Sequence, residues 1–287
     1  TITGKVGTNS NSAAIAFHSP GYTGTRVLAN GGPIVFNAVN GSGGYSIYAQ
    51  GNAMVVGQLT GSAVPTSSSN ITLNIDRSMT RDRSGTLPDL TFNTSGNLTV
   101  QPRTASTTIG IGGGTGTLQL PSSLFSSNFA DGFSSITIGR SDGTGKITTG
   151  AFSVNDNLTL LNASGGIELT GLLNAGSSNV SLTVNAGSGT ATFNSAVGAT
   201  TPFYALNVTA ASSWPKRSKV SGGTGFSAVV LPVTSPVSNS ASASGLASAS
   251  SGLAKSRVPA CITGCPGRNF RVAGLGVVSV SMNILPM

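Results

Sequence analysis

The chain has 287 residues, 38% hydrophobic and only 8% charged, with 40 glycines and a formal net charge of +8. So little charge, joined to a positive mean hydropathy, excludes a disordered polyelectrolyte. Glu, Lys, Gln and Arg are scarce, and Gly, Ser, Thr and Asn break every candidate window, so long helices are excluded and packed β-structure is left.

In chain order, residues 1–65 hold short apolar bursts between Gly-rich turns: Ala13-Ala14-Ile15-Ala16-Phe17, Pro33-Ile34-Val35-Phe36-Asn37-Ala38 and Tyr45-Ser46-Ile47-Tyr48. They read as the loosely spaced first coils of a stack. Residues 75–90 carry Ile75-Asp76-Arg77 and Arg81-Asp82-Arg83, the densest charge of the body, and read as a protruding solvated loop. From about residue 66 a phrase recurs, in which Asn is followed by an aliphatic residue, Ser or Thr, and usually a second aliphatic. It stands at Asn70-Ile71-Thr72-Leu73, Asn97-Leu98-Thr99-Val100, Asn157-Leu158-Thr159-Leu160 and Asn179-Val180-Ser181-Leu182, and in weaker form at Asn207-Val208-Thr209-Ala210. A second phrase bridges the long gap, as Thr108-Ile109-Gly110 and Thr137-Ile138-Gly139. Repeats spaced by a few tens of residues signal a solenoid or an array.

Each phrase has a physical meaning. Aliphatics two apart, such as Leu158 and Leu160, share one face of a strand and leave Thr159 on the other. Turn clusters precede them (Thr94-Ser95-Gly96, Asn155-Asp156, Gly176-Ser177-Ser178), and further strands lie between (Gly166 to Thr170, Thr190 to Phe193). Two architectures fit. An antiparallel sandwich would use Asn40-Gly41, Asp131-Gly132 or Asp142-Gly143 as hairpin turns. A parallel solenoid stacks like phrase on like phrase, with Asn residues at one corner sharing amide hydrogen bonds. The recurring phrase favours the solenoid: about eight coils of roughly 20–28 residues, with two or three strands each, stacked ~4.8 Å apart into a rod on the order of 40 Å long.

Past Trp214 the pattern changes. Residues 234–256 are Ser/Ala/Gly-rich low-complexity sequence, and alternation returns only in Val272 to Val280, where one terminal strand is expected. The chain thus divides into a repeat region, 1–213, and a low-complexity basic tail, 214–287. The body nearly balances its charge; Lys216, Arg217, Lys219, Lys255, Arg257, Arg268 and Arg271 of the tail face no acidic residue there. These basic residues come as isolated clusters, so a solvated tail is expected and a nucleic-acid partner is not. Both cysteines, Cys261 and Cys265, lie in the tail and could close a small disulfide loop; two free thiols are the other reading. No run is long and apolar enough to span a bilayer as a helix. The opening Thr1-Ile2-Thr3-Gly4, without initiator Met or apolar leader, reads as an internal cut in a longer or processed chain.

Residues 96–210 resemble a known family. Ile136-Thr137-Ile138-Gly139-Arg140-Ser141-Asp142-Gly143-Thr144-Gly145, then Asn157-Leu158-Thr159-Leu160-Leu161-Asn162-Ala163 and Gly165-Gly166-Ile167-Glu168-Leu169, are similar to the repeat region of filamentous-haemagglutinin-like bacterial exoproteins of the two-partner secretion type. The resemblance implies an all-β, right-handed parallel β-helix, secretion to the bacterial cell surface, and a role in adhesion or biofilm.

Reactive groups are few. The acidic residues are Asp76, Asp82, Asp89, Asp131, Asp142, Asp156 and Glu168, and only Asp82 and Asp89, flanking Arg83, suit a hydrolytic β-helix or tailspike-like alternative. The single histidine, His18, has no nucleophile-elbow sequence beside it. No cofactor or metal set is expected, and the reading is non-enzymatic: a stalk or fibre segment presenting loops to glycans or proteins of host or neighbouring cells. Tyr22, Tyr45, Tyr48 and Tyr204 are the candidate glycan contacts, provided that they share an exposed face. Asn-X-Ser/Thr triplets at Asn70, Asn93, Asn97, Asn157, Asn162, Asn179 and Asn207 mostly coincide with the strand phrase, which makes the sequons a by-product. The amino end, beginning on strand-like Thr1-Ile2-Thr3 without a cap, is expected to invite end-to-end self-association, whereas Trp214-Pro215 would stop the stack.

Overall fold

A computed structural model of the protein describes residues 1–5, 13–19, 25–29, 32–39, 45–51, 54–57, 68–81 and 90–215. In chain order they form β1 (Ile2–Lys5), β2 (Ala13–Ser19), β3 (Thr25–Val27), β4 (Ile34–Val39), β5 (Tyr45–Gly51), β6 (Met54–Gly57), β7 (Ile71–Ile75), β8 (Met79–Arg81) and β9 (Leu90–Asn93). There follow β10 (Asn97–Gln101), β11 (Ile109–Ile111), β12 (Leu118–Leu120), β13 (Ser135–Gly139), β14 (Ile147–Thr149), β15 (Phe152–Val154) and β16 (Leu158–Leu161). The last are β17 (Ile167–Leu169), β18 (Leu173–Ala175), β19 (Ser181–Asn185), β20 (Thr190–Phe193), β21 (Ala205–Thr209) and β22 (Ser212–Pro215). One π-helical turn, Leu124–Asn128, interrupts this all-β chain.

Every strand pairing among the described residues is parallel. The eight-stranded sheet runs β1-β4-β7-β10-β13-β16-β19-β21, so the chain leaves it and returns on each circuit. Early circuits pass through the sheets β2-β5-β8 and β3-β6-β9; later ones pass through β12-β11-β14-β17-β20-β22 and β15-β18. Asp131-Gly132 and Asp142-Gly143 therefore join no hairpin, and Asn40-Gly41 lies outside the described residues. Register on the long sheet makes two inward columns. One stacks Ile34, Ile71, Leu98, Ile136, Leu158, Leu182 and Leu206; the other stacks Phe36, Leu73, Val100, Ile138, Leu160, Val184 and Val208. These side chains are buried, and each one fully removed from water contributes roughly 1.5–3 kcal/mol before the cost of ordering the chain. Edge-to-face rings (Phe17–Phe36, Phe36–Phe92, Phe92–Phe129, Phe125–Phe129) and the tilted pair Phe125–Phe152 run through the same core.

Circuit length varies more than the sequence predicts. In-register residues of neighbouring strands are 34, 37, 27 and 38 residues apart up to β13, then 22 to β16 and 24 to β19. The 38-residue circuit holds an extra layer: after β11 the chain turns through Gly112, Gly113 and Gly114 and lays β12 alongside β11. The π-helical turn follows, and Asn128 donates from Nδ2 to the Leu90 carbonyl at 2.7 Å.

Several expectations need correction. Asn70 and Asn97 are in register, and Ser135 takes the next place, followed by Asn157. The phrases at Asn179 and Asn207 are displaced: Ser181 aligns with Asn157, and Asn207 aligns with Thr183. A shift of two residues keeps every side chain on its face, so the alternation survives it. Asn179 instead occupies a turn with φ +68°, a conformation Asn tolerates. Thr108-Ile109-Gly110 and Thr137-Ile138-Gly139 do not stack, because β11 and β13 belong to different sheets. Nor is the start of 75–90 a loop: Ile75 is buried at the end of β7, and Met79–Arg81 is β8. Residues 82–89 lie outside the described set. At the other end, Trp214-Pro215 lies on β22, paired with Thr192 and Phe193 of β20, and β22 is the last strand in that sheet's order, as a stack ending at Trp214-Pro215 requires.

Candidate functional site

The three tyrosines among the described residues do not lie on one sheet. Tyr45 and Tyr48 lie on β5, in the sheet β2-β5-β8; Tyr45 is 39% exposed at the strand's start and Tyr48 is half-buried. Tyr204, 61% exposed, precedes β21 of the long sheet, six strands beyond β4 in the stacking order. Tyr22, Cys261, Cys265, Asp82, Arg83 and Asp89 lie outside the described residues. Among the described residues no group of three His, Cys, Asp or Glu side chains is placed to hold a metal ion, and no helix is long and apolar enough to cross a membrane.

The outward face of the long sheet is the most ordered polar surface of the molecule. At its centre Thr72, Thr99, Thr137, Thr159 and Thr183 lie in one register column on β7, β10, β13, β16 and β19. They are half-exposed, and their hydroxyls have no hydrogen-bond partner among the described residues. On one side runs the column Asn70, Asn97, Ser135, Asn157, Ser181. Its side chains tie strand to strand: the Asn97 N–H donates to Asn70 Oδ1 (2.9 Å), Ser135 Oγ to Asn97 Oδ1 (2.9 Å) and the Ser181 N–H to Asn157 Oδ1 (2.9 Å). These corner residues bond backbone and hydroxyl groups, whereas the amide-to-amide sharing expected of them occurs in the column on the other side. There Asn74 Nδ2 donates to Asn37 Oδ1 at 2.6 Å, and Gln101 Nε2 donates to Asn74 Oδ1 at 2.7 Å. Asn74 and Gln101 each stand directly after a phrase, four residues beyond its Asn, so the phrase spacing signals that pair, whereas Asn37 follows no phrase.

Three charged clusters brace the corners. Arg140 forks onto Asp142 (Nε to Oδ1 2.5 Å, Nη2 to Oδ2 2.8 Å) while Nη1 donates to the carbonyls of Pro102 and Arg103 in the preceding circuit. Hydrogen bonding by Asp142 holds the guanidinium's pKa above its ordinary value, and that of the Asp142 carboxyl is lowered in return. Lys146 pairs with Glu168, whose other oxygen accepts from Asn194 Nδ2 at 2.5 Å. Asp156 differs: only 7% exposed, it accepts the Gly132 N–H at 3.0 Å, and burial pushes its pKa up to about 6, with Asp131 adding repulsion. The sequon residue Asn162 is also buried, donating to the Gly145 carbonyl and accepting from the Ser164 and Gly165 N–H groups. A shallow opening of about 210 Å³ beside the π-helical turn is lined by Met79, Leu90, Phe92, Pro121, Leu124 and Asn128.

These arrangements lock neighbouring circuits together and leave one broad polar face outward.

No family model, curated protein or solved structure matches the chain.

Proposed function

We propose that residues 1–213 are a right-handed parallel β-helix that serves as a rigid shaft of a secreted bacterial surface protein, with an adhesive or biofilm role. The observation that carries the reading is the unbroken parallel register of the eight-stranded sheet, held while circuit length ranges from 22 to 38 residues. A chain that returns to one sheet by parallel crossovers favours the right-handed sense. Stacked repeats that touch only their neighbours produce a stiff, quasi-one-dimensional body. Eight strands at ~4.8 Å spacing give a shaft about 35–40 Å long, and longer in a parent chain with more circuits.

On this reading adhesion belongs to the loops at the corners, which meet glycans or proteins of neighbouring cells, and shaft ends pair with further coils or with a second copy. Pulsed electron spin resonance between spin labels at Thr72 and Asn207 tests the architecture, since five parallel strand steps in one register column place the two backbone positions ~24 Å apart. A broad distribution with no population near that separation would refute the shaft. Beads coated with the chain, tested against cells with and without enzymatic removal of surface glycans, read the adhesive role. Turnover of a polysaccharide, lost in Asp82→Asn or Asp89→Asn, would overturn it in favour of a tailspike-like enzyme.

A further inference from the structure

We infer that the threonine column of the long sheet is an ice-binding surface, organising water in register with a crystal face of ice. The inference stands on the register of β7, β10, β13, β16 and β19 and does not depend on the adhesive reading.

Four observations point the same way. First, Thr72, Thr99, Thr137, Thr159 and Thr183 are successive partners across five strands, so their hydroxyls repeat at the inter-strand distance of ~4.8 Å over roughly 19 Å. A row of hydroxyls at this spacing lies close to one oxygen repeat on a prism face of hexagonal ice. Second, the five hydroxyls have no partner among the described residues, while Asn70, Asn97 and Asn157 on one side and Asn74 and Gln101 on the other are committed to bonds between strands. A half-exposed hydroxyl without a protein partner takes its hydrogen bonds from water. Third, threonine is β-branched and stiff about χ1, so the array is ordered before it meets a surface and little side-chain entropy is lost on binding. Fourth, on these five strands the outward column of threonines and both columns beside it carry no charged side chain; a charge would draw its own hydration shell and disrupt a lattice match.

The circuits themselves add weight. They differ in length by more than half, yet the threonines stay aligned, because the added residues, including β12 and the π-helical turn, fall on the other sheets. The threonine column keeps its register through all of them.

The occupant is therefore ice itself, with no aromatic platform of the kind a sugar would stack upon. The experiment uses the full 287-residue chain, measuring thermal hysteresis by nanolitre osmometry and ice recrystallisation in frozen sucrose films. The wild type is expected to inhibit recrystallisation and to shape growing crystals. Thr137→Tyr with Thr159→Tyr should abolish both effects, and Ser153→Tyr, exposed on β15 of another sheet, should leave them intact. If the double tyrosine variant misfolds by circular dichroism, Thr159→Lys serves instead, since its stem and ammonium extend into solvent; activity should again be lost. A wild-type chain that lets ice recrystallise as albumin does would overturn the proposal. So would full activity in a folded Thr159→Lys chain.

Discussion

Thr149 offers the sharpest test of the packing. It ends β14, aligned with Ile111 of β11 and Leu169 of β17, and is 0% exposed. Its backbone carbonyl accepts from Thr170 Oγ1 at 2.7 Å, but its own hydroxyl has no hydrogen-bond partner. A buried hydroxyl without a partner costs about 1–3 kcal/mol relative to an apolar group of the same shape. Valine keeps the branched outline, fills the same volume between Ile111 and Leu169, and suits a strand at least as well. Thr149→Val is therefore expected to stabilise the protein by about 1–2 kcal/mol, raising the melting temperature by about 2–4 °C per kcal/mol for a body of this size. Urea denaturation followed by circular dichroism should show a higher midpoint with an unchanged slope, because the surface exposed on unfolding is the same. Thr149→Ser, which keeps the hydroxyl and deletes a methyl, should destabilise by about 1 kcal/mol. A Thr149→Val protein weaker than wild type would show that the hydroxyl is satisfied, for instance by a buried water, and the argument would fail.

Other expectations concern the corners and the amide ladder. Asp156, with its folded pKa raised to about 6 from an ordinary 3.8, favours its neutral form in the fold; its contribution is fully present below about pH 3.8 and lost as pH rises through about 6. Asp156→Asn should accordingly melt higher than wild type at pH 7 and converge with it near pH 4, and melting curves across that range with no such convergence would contradict the assignment. Arg140→Lys cannot fork, so it should lower stability by about 1–2 kcal/mol and speed amide hydrogen exchange in residues 103–107. Removing the middle of the amide ladder with Asn74→Ala should cost about 1 kcal/mol by thermal denaturation, because Asn37 and Gln101 each lose a partner. Gly139→Ala should be the most damaging substitution, by about 3 kcal/mol or more in chemical denaturation: at φ +103° its Cβ would sit 2.0 Å from the Leu161 carbonyl oxygen.

The sequence alone determined the strand alternation and the side of each strand that faces the core. Leu98 and Val100, Leu158 and Leu160, and Leu182 and Val184 read as inward pairs from their spacing, and all are buried. That much is legible because side-chain direction has period two and depends only on local order. The parallel, all-β character was likewise implied by the recurrence of one phrase, although Asp131-Gly132 and Asp142-Gly143 offered the turn residues of hairpins. Register was decided by the tertiary structure. Slips of two residues at Asn179 and Asn207 leave the pattern intact, so only the ladder of backbone hydrogen bonds between circuits distinguishes Ser181 from Asn179 as the partner of Asn157. The pairing of β12 with β11, the place of Asn37 in the amide ladder and the burial of Asp156 were hidden for the same reason. Each depends on which residues of different circuits become neighbours, and circuits of 22 to 38 residues erase the fixed period that would have announced it. The threonine column stands between these cases: each Thr was visible in its phrase or strand, but the stacking of five on adjoining strands exists only once the chain has returned repeatedly to the same parallel sheet.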